Sequence, residues 1–126
     1  MSRRAVCERI FQMRFDDGPR SFAVQWFNPE PDQIDWRCDY RIAWPHRSAS
    51  ERRAFGVDSI QALQHAMNMV STELYLEDPP VFWFEENDRL GLPILPAIAE
   101  IEARRNPPPE FTMPNTEVIT RIDGAV

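Results

Sequence analysis

Apolar and polar residues alternate with a period of two through three successive stretches of the first 44 residues. In AVCERIFQMRF, residues 5–15, Phe11, Met13 and Phe15 share one side and Gln12 and Arg14 the other. SFAVQWF repeats the pattern with Phe22, Val24 and Trp26. WRCDYRIAW carries it furthest, setting Trp36, Cys38, Tyr40, Ile42 and Trp44 against Arg37, Asp39 and Arg41. This alternation predicts antiparallel strands with one covered face and one wet face. Between the first two, DDGPR supplies turn chemistry, because Gly18 tolerates φ > 0 and Pro19 presets the next φ, so a hairpin is expected. NPEPDQ breaks the chain before the third strand, and ERRAFGV, after the polar loop PHRSAS, predicts a short fourth.

The period then changes. In GVDSIQALQHAMNMVSTELYLE, Ile60, Leu63, Met67, Val70 and Leu74 recur at steps of three and four, which predicts one helix over about 59–76 with an apolar stripe. Asp58 is a suitable N-cap, and Gln61 three residues on completes a capping-box pattern. Ala62 and Ala66 flank the stripe and permit close approach to a sheet. Pro79 and Pro80 cannot continue the helix. VFWFEE predicts a short extra strand, NDRLGLP a turn, and LPAIAEIEARRN a second helix. The expected fold is α+β: an antiparallel meander of about four strands packed on one main helix, with residues 1–105 as one domain and 106–126 as a proline-rich C-terminal tail. Within the tail only TEVITRI has the pattern of an edge strand.

Composition narrows the setting. A chain of 126 residues fits one domain, and 43% hydrophobic residues support a core. The N-terminus lacks an apolar signal-peptide core, and no apolar run approaches the ~20 residues needed to span a bilayer. Cys7 and Cys38 lie far apart without CxxC spacing, so neither a zinc site nor a disulfide framework is indicated, and a cytoplasmic setting is expected. All fourteen basic residues are arginine. Residues 1–53 hold ten arginines and eight acids (10 − 8 = +2), whereas 54–126 hold four and twelve (4 − 12 = −8). The acidic second half would repel a nucleic-acid backbone and attract a basic protein.

Catalytic chemistry finds few candidates. Cys38 lies among the apolar residues of its strand, where burial keeps a thiol inert, and Cys7 has no neighbouring base. The two histidines form no HxH or HExxH pair, so no metal site is expected. His46 reads as a solvated loop residue. The four glycines are scattered, which leaves no phosphate cradle, and no cofactor is implied. Arg37 and Arg41 alternate with Asp39 rather than with aromatics, as ion-paired strands do and RNA-binding sheets do not.

Two surfaces remain. The polar side of the helix carries Gln61, His65, Asn68 and Thr72 and no charge between Asp58 and Glu73, the mark of a face covered by loops, by the tail or by a partner. A ligand pocket between helix and sheet would use Gln61, His65 and Asn68, and a carboxylate beside His65 would favour an enzyme. The second surface is an acidic cluster, Glu77, Asp78, Glu85, Glu86 and Asp88, around Trp83. It reads either as solvated turns flanking a buried strand or as an acidic rim around an aromatic anchor for a basic partner.

The stretch FGVDSIQALQHAM, followed by TELYL and DRLGLP, resembles a family of small bacterial proteins of unknown function. That family has a G-x-D-S-x-Q-A-L helix start and a downstream L-G-x-P segment. Gly56, Asp58, Ser59, Gln61, Ala62 and Leu63 match the first motif, and Gly91 and Pro93 the second. The resemblance spans roughly residues 20–95 and implies an α+β fold, a bacterial cytoplasmic setting and no catalytic residue. The functional expectation is a non-catalytic protein-binding protein, most concretely an immunity or antitoxin-like inhibitor of a basic bacterial toxin, monomeric or homodimeric. The alternative is a small enzyme or ligand-binding regulator with a pocket between helix and sheet.

Overall fold

The computed structural model describes residues 4–107. Its sheet is the expected meander: β1 (Ala5–Phe15), β2 (Gly18–Phe27), β4 (Asp35–Ile42) and β5 (Ser50–Gly56) pair antiparallel in sequence order. The NPEPDQ segment does more than break the chain. Its centre is a short strand, β3 (Glu30–Asp32), which continues β2 along the same edge of β4. The register shifts by one residue across Asn28–Pro29, since Trp26 faces Tyr40 whereas Glu30 faces Arg37. Proline has no N–H for the ladder, so the bulge falls where pairing is already lost. A two-residue strand, β6 (Val81–Phe82), pairs with β1 through Met13 and Gln12.

Helix α1 (Ser59–Tyr75) covers one face of the sheet. Asp58 caps it as expected, its carboxylate accepting from the Gln61 N–H at 2.8 Å. The Gln61 side chain reaches back one residue further than a standard capping box and accepts from the Val57 N–H at 2.8 Å. The buried stripe differs from the expected one. Ala62, Ala66, Val70 and Leu74 are completely buried, while Ile60 is 75% exposed. Leu63 and Met67 pack on the flank. The reason lies in the sheet, whose inner face already carries Trp26, Tyr40, Ile42 and Phe11. Small residues fit against such bulk, and space is close enough that a Cβ on Gly56 would stand 2.7 Å from the Gln61 carbonyl carbon.

The outer face of the sheet is ion-paired as its sequence implied. Arg37 meets Glu30 at 2.9 Å and Asp39 at 3.4 Å, and Arg41 meets Glu51 at 3.6 Å. The second helix is shorter than expected: a 3-10 turn at Pro96–Ile98 leads into α2 (Ala99–Ala103). Backbone pairing continues to Asn106, which exchanges hydrogen bonds with Asn87 and Arg89. The edge-strand segment TEVITRI, and with it any cover the tail provides for α1, lies outside the described residues.

Candidate functional site

The segment from Glu77 to Gly91 wraps the β1 edge of the sheet. A cis Asp78–Pro79 peptide follows α1, and β6 then ends at Phe82, shorter than the strand expected over 81–86. The chain next folds over the carboxylate of Asp88. Its Oδ1 accepts from the Trp83 N–H at 2.9 Å, and its Oδ2 accepts from Phe84 at 2.8 Å and Glu85 at 3.0 Å. Asp88 is 1% exposed. A carboxylate that satisfies three backbone donors fixes the loop as a rigid tip.

Below the tip, Trp83 is held from several sides. The Arg9 guanidinium carbon lies 3.9 Å from its ring centroid, and Arg9 donates to the carbonyls of Leu90 at 3.0 Å and Gly91 at 2.9 Å. Gly91 has φ +67°, and a Cβ there would run into the Trp83 ring. The L-G-x-P segment therefore needs its glycine both for backbone conformation and for room. Burial pushes the Arg9 guanidinium down from its ordinary pKa, opposed by nearby Cys7. Arg105 braces the other side, donating to the carbonyls of Val81 at 2.5 Å and Asp88 at 3.0 Å.

The six expected contact residues divide. Asp78, Glu85 and Glu86 are exposed. Glu86 forms an ion pair with Arg14, with both side chains more than half exposed, a geometry worth under about 1 kcal/mol. Glu77 turns instead to the sheet side, accepting from Arg47 at 2.6 Å and meeting His46 Nε2 at 3.1 Å. The Arg47 guanidinium, aided by His46, holds the Glu77 carboxyl below its ordinary range. Asp88 is the staple of the tip, and Trp83 its half-buried floor. The exposed aromatic of the tip is Phe84, at 59%, its ring tilted 30° against Trp83 with centroids 4.5 Å apart. Periodicity alone could not separate Phe84 from Trp83, because the strand ends between the residues that establish its alternation.

The helix-face candidates are separated too. Gln61 is used by Val57, and the ring Nδ1–H of His65 donates to the Phe55 carbonyl at 2.7 Å, on the outer side of edge strand β5. That bond covers part of a strand edge that pairs with no other strand among the described residues, a protection against edge pairing. His65 and Asn68 do line one hollow of about 380 Å³ with Arg53, Phe55, Met69 and Leu95. No carboxylate lines it. Further along, the uncharged face is covered by the L-G-x-P segment: the Ser71 hydroxyl donates to Pro93 O at 2.6 Å. Tyr75 accepts from the Leu90 N–H at 2.9 Å and donates to Glu102 at 2.7 Å. Burial first, and Glu102 after it, pushes the Tyr75 hydroxyl up to about 12, against the bond from Leu90.

His46 lies in the exposed loop between β4 and β5, as expected, but its side chain is not free. Its ring packs edge-on to Trp44 at 5.7 Å between centroids and bonds Glu77. Cys38 is fully buried, and burial, then Asp39, pushes its thiol up to about 11. Among the described residues no three His, Cys, Asp or Glu side chains are placed to hold a metal ion. No described helix is long and apolar enough to cross a membrane.

Neither curated proteins nor solved structures offer a match to this chain. One family model matches, over residues 7–94, which takes in the sheet from Cys7 onward, α1, the Asp88 tip and the L-G-x-P segment. The chain belongs to that family, a domain of unknown function designated DUF6968.

Proposed function

We propose that this is a non-catalytic protein-binding protein whose contact surface is the tip formed by Phe84, Glu85 and Glu86. The partner is a basic protein, most concretely a bacterial toxin occluded in the cytoplasm by an immunity or antitoxin-like protein. One observation carries the reading: three hydrogen bonds to the buried Asp88 carboxylate hold the tip rigid while Phe84 stays exposed beside two exposed acids. An aromatic anchor with a charged rim suits a protein partner, and a loop ordered beforehand loses little entropy on binding. The balance of −8 over residues 54–126 adds long-range attraction for a cationic surface.

The test is affinity capture from the native organism with the wild-type protein and a Phe84→Ala, Glu85→Gln, Glu86→Gln triple variant. The reading expects a stoichiometric basic protein held at low salt, released at high salt and missing from the variant. Capture that is indifferent to the three substitutions would move the binding surface elsewhere. Retention of nothing at low salt would remove the inhibitor reading.

A further inference from the structure

Glu86 belongs both to the tip and to a hollow of about 380 Å³ beside it. The hollow opens where β6 leaves β1. The two strands pair only through Val81 and Phe82, and Pro80, the next residue back, has no N–H to extend the ladder. Buried Val81 and Phe82 form the apolar floor with Pro80, and exposed Arg14, Glu86 and Asn87 stand around it. Arg14 Nε is ion-paired with Glu86, and both side chains are more than half exposed. A pair so wet is worth under about 1 kcal/mol, so it is readily exchanged for another.

We propose that this hollow is an arginine-binding subsite, in which a guanidinium of the partner replaces that of Arg14 on Glu86 and its methylene stem lies along Pro80 and Phe82. The inference rests on the tip being the contact surface and adds the chemistry by which the partner is recognised. Three observations favour arginine as the occupant. The volume is at the lower end of the roughly 300–1,000 Å³ of small-ligand pockets, and an apolar floor below a carboxylate suits a side chain with an aliphatic stem and a cationic head. Glu86 already holds a guanidinium in the free protein, so the contact that the partner would make is present in the molecule itself. Asp78 and Glu85 are exposed in the same segment, and no basic residue occurs between positions 77 and 88, which sets the local field against a carboxylate or a phosphate. Lysine would bring the charge, but its ammonium is more strongly hydrated and has no planar face to lay on an aromatic wall. Arg14 is then a placeholder that keeps Glu86 paired until the partner arrives and has open solvent to swing into when displaced.

The experiment is NMR of the backbone amides and arginine Nε–H groups of the full, isotope-labelled chain. It is titrated at constant ionic strength with N-acetyl-arginine amide and with its uncharged near-isostere, N-acetyl-citrulline amide. The arginine probe should shift the Arg14 Nε–H and the amides of Phe82, Glu86 and Asn87 along one saturating curve, with a Kd of about 1–10 mM for a single side chain. The citrulline probe, without a charge-assisted bond to Glu86, should bind about 5-fold more weakly or worse, and Glu86→Gln should weaken the arginine probe as much. Arg14→Ala should tighten it by about 2–5-fold, the worth of an exposed ion pair. Arg20→Ala makes the same change in net charge at a residue that pairs with Asp17 outside the hollow, and should leave the Kd within about 2-fold. Unchanged amide shifts elsewhere will show that each variant is folded. Equal binding of the two probes, no saturation by about 50 mM, or an Arg14→Ala chain that binds no better overturns the proposal. The capture experiment fails separately. A protein captured through the tip of a chain that ignores the arginine probe removes the subsite and keeps the tip, whereas a chain that binds the probe and captures nothing does the reverse.

Discussion

Replacement of Asp88 by asparagine tests the physical account of the tip most directly. The substitution keeps size and shape but leaves one acceptor oxygen where the carboxylate had two. With that oxygen in the Oδ2 position, the bonds from Phe84 and Glu85 survive, and the new amide group confronts the Trp83 N–H, donor against donor. Two charge-assisted bonds become neutral ones, a loss of about 1 kcal/mol each, and an orphaned donor costs about 1–3 kcal/mol. Water reaches the partly buried donors and returns some of this, so a loss of about 2–4 kcal/mol is expected. Equilibrium urea unfolding is the assay. With a slope of about 1–3 kcal/mol per molar, the midpoint should fall by about 1–2 M. Phe84→Ala, at a largely exposed position, serves as the control and should cost under about 1 kcal/mol. If Asp88→Asn unfolds at the wild-type midpoint, or loses no more than the control, the carboxylate does not hold the tip and the preorganised surface goes with it.

Three further expectations rest on other parts of the fold. Gly56→Ala would push a methyl into the backbone of Gln61 and Ala62, where no side chain can swing aside. A loss of about 1–3 kcal/mol, read as a lowered Tm, is expected, and an unchanged Tm would contradict the close approach of α1. Glu77 has its folded pKa depressed below the ordinary 4.5, chiefly by Arg47, so its contribution is complete above that value and is lost as pH falls through the folded one. Glu77→Gln should therefore flatten the fall of Tm with acid below about pH 4.5, and parallel profiles for the two proteins would refute the linkage. Finally, a thiol reagent at mildly alkaline pH should modify only the partly exposed Cys7 in the native protein and reach Cys38 after denaturation. Two equally fast thiols would place β4 outside the core.

Local signals in the chain were sufficient for the meander, the helix and its cap. Alternation with a period of two put Phe11, Val24, Tyr40 and Ile42 inside, and the wet face of β4 carries the expected ion pairs. Asp58 and Gln61 act within a few residues of their partners, so their roles were legible from spacing alone. Other features depend on what lies across the core. The sheet's inner face is so bulky that α1 turns its alanines inward and leaves Ile60 at the surface, which no helical periodicity contains. His46 finds Glu77, thirty-one residues later in the chain, and His65 finds the Phe55 carbonyl on a neighbouring strand. The acidic cluster was visible as a composition, yet its members took different tasks: Asp88 binds backbone, Glu77 pairs inward, and Glu85 and Glu86 stay outside. Charge and hydropathy are properties of a residue and can be read in order along the chain. Which acid is buried and which apolar residue is left at the surface depends on the donors and volumes that distant segments bring together, and only the tertiary structure decides that.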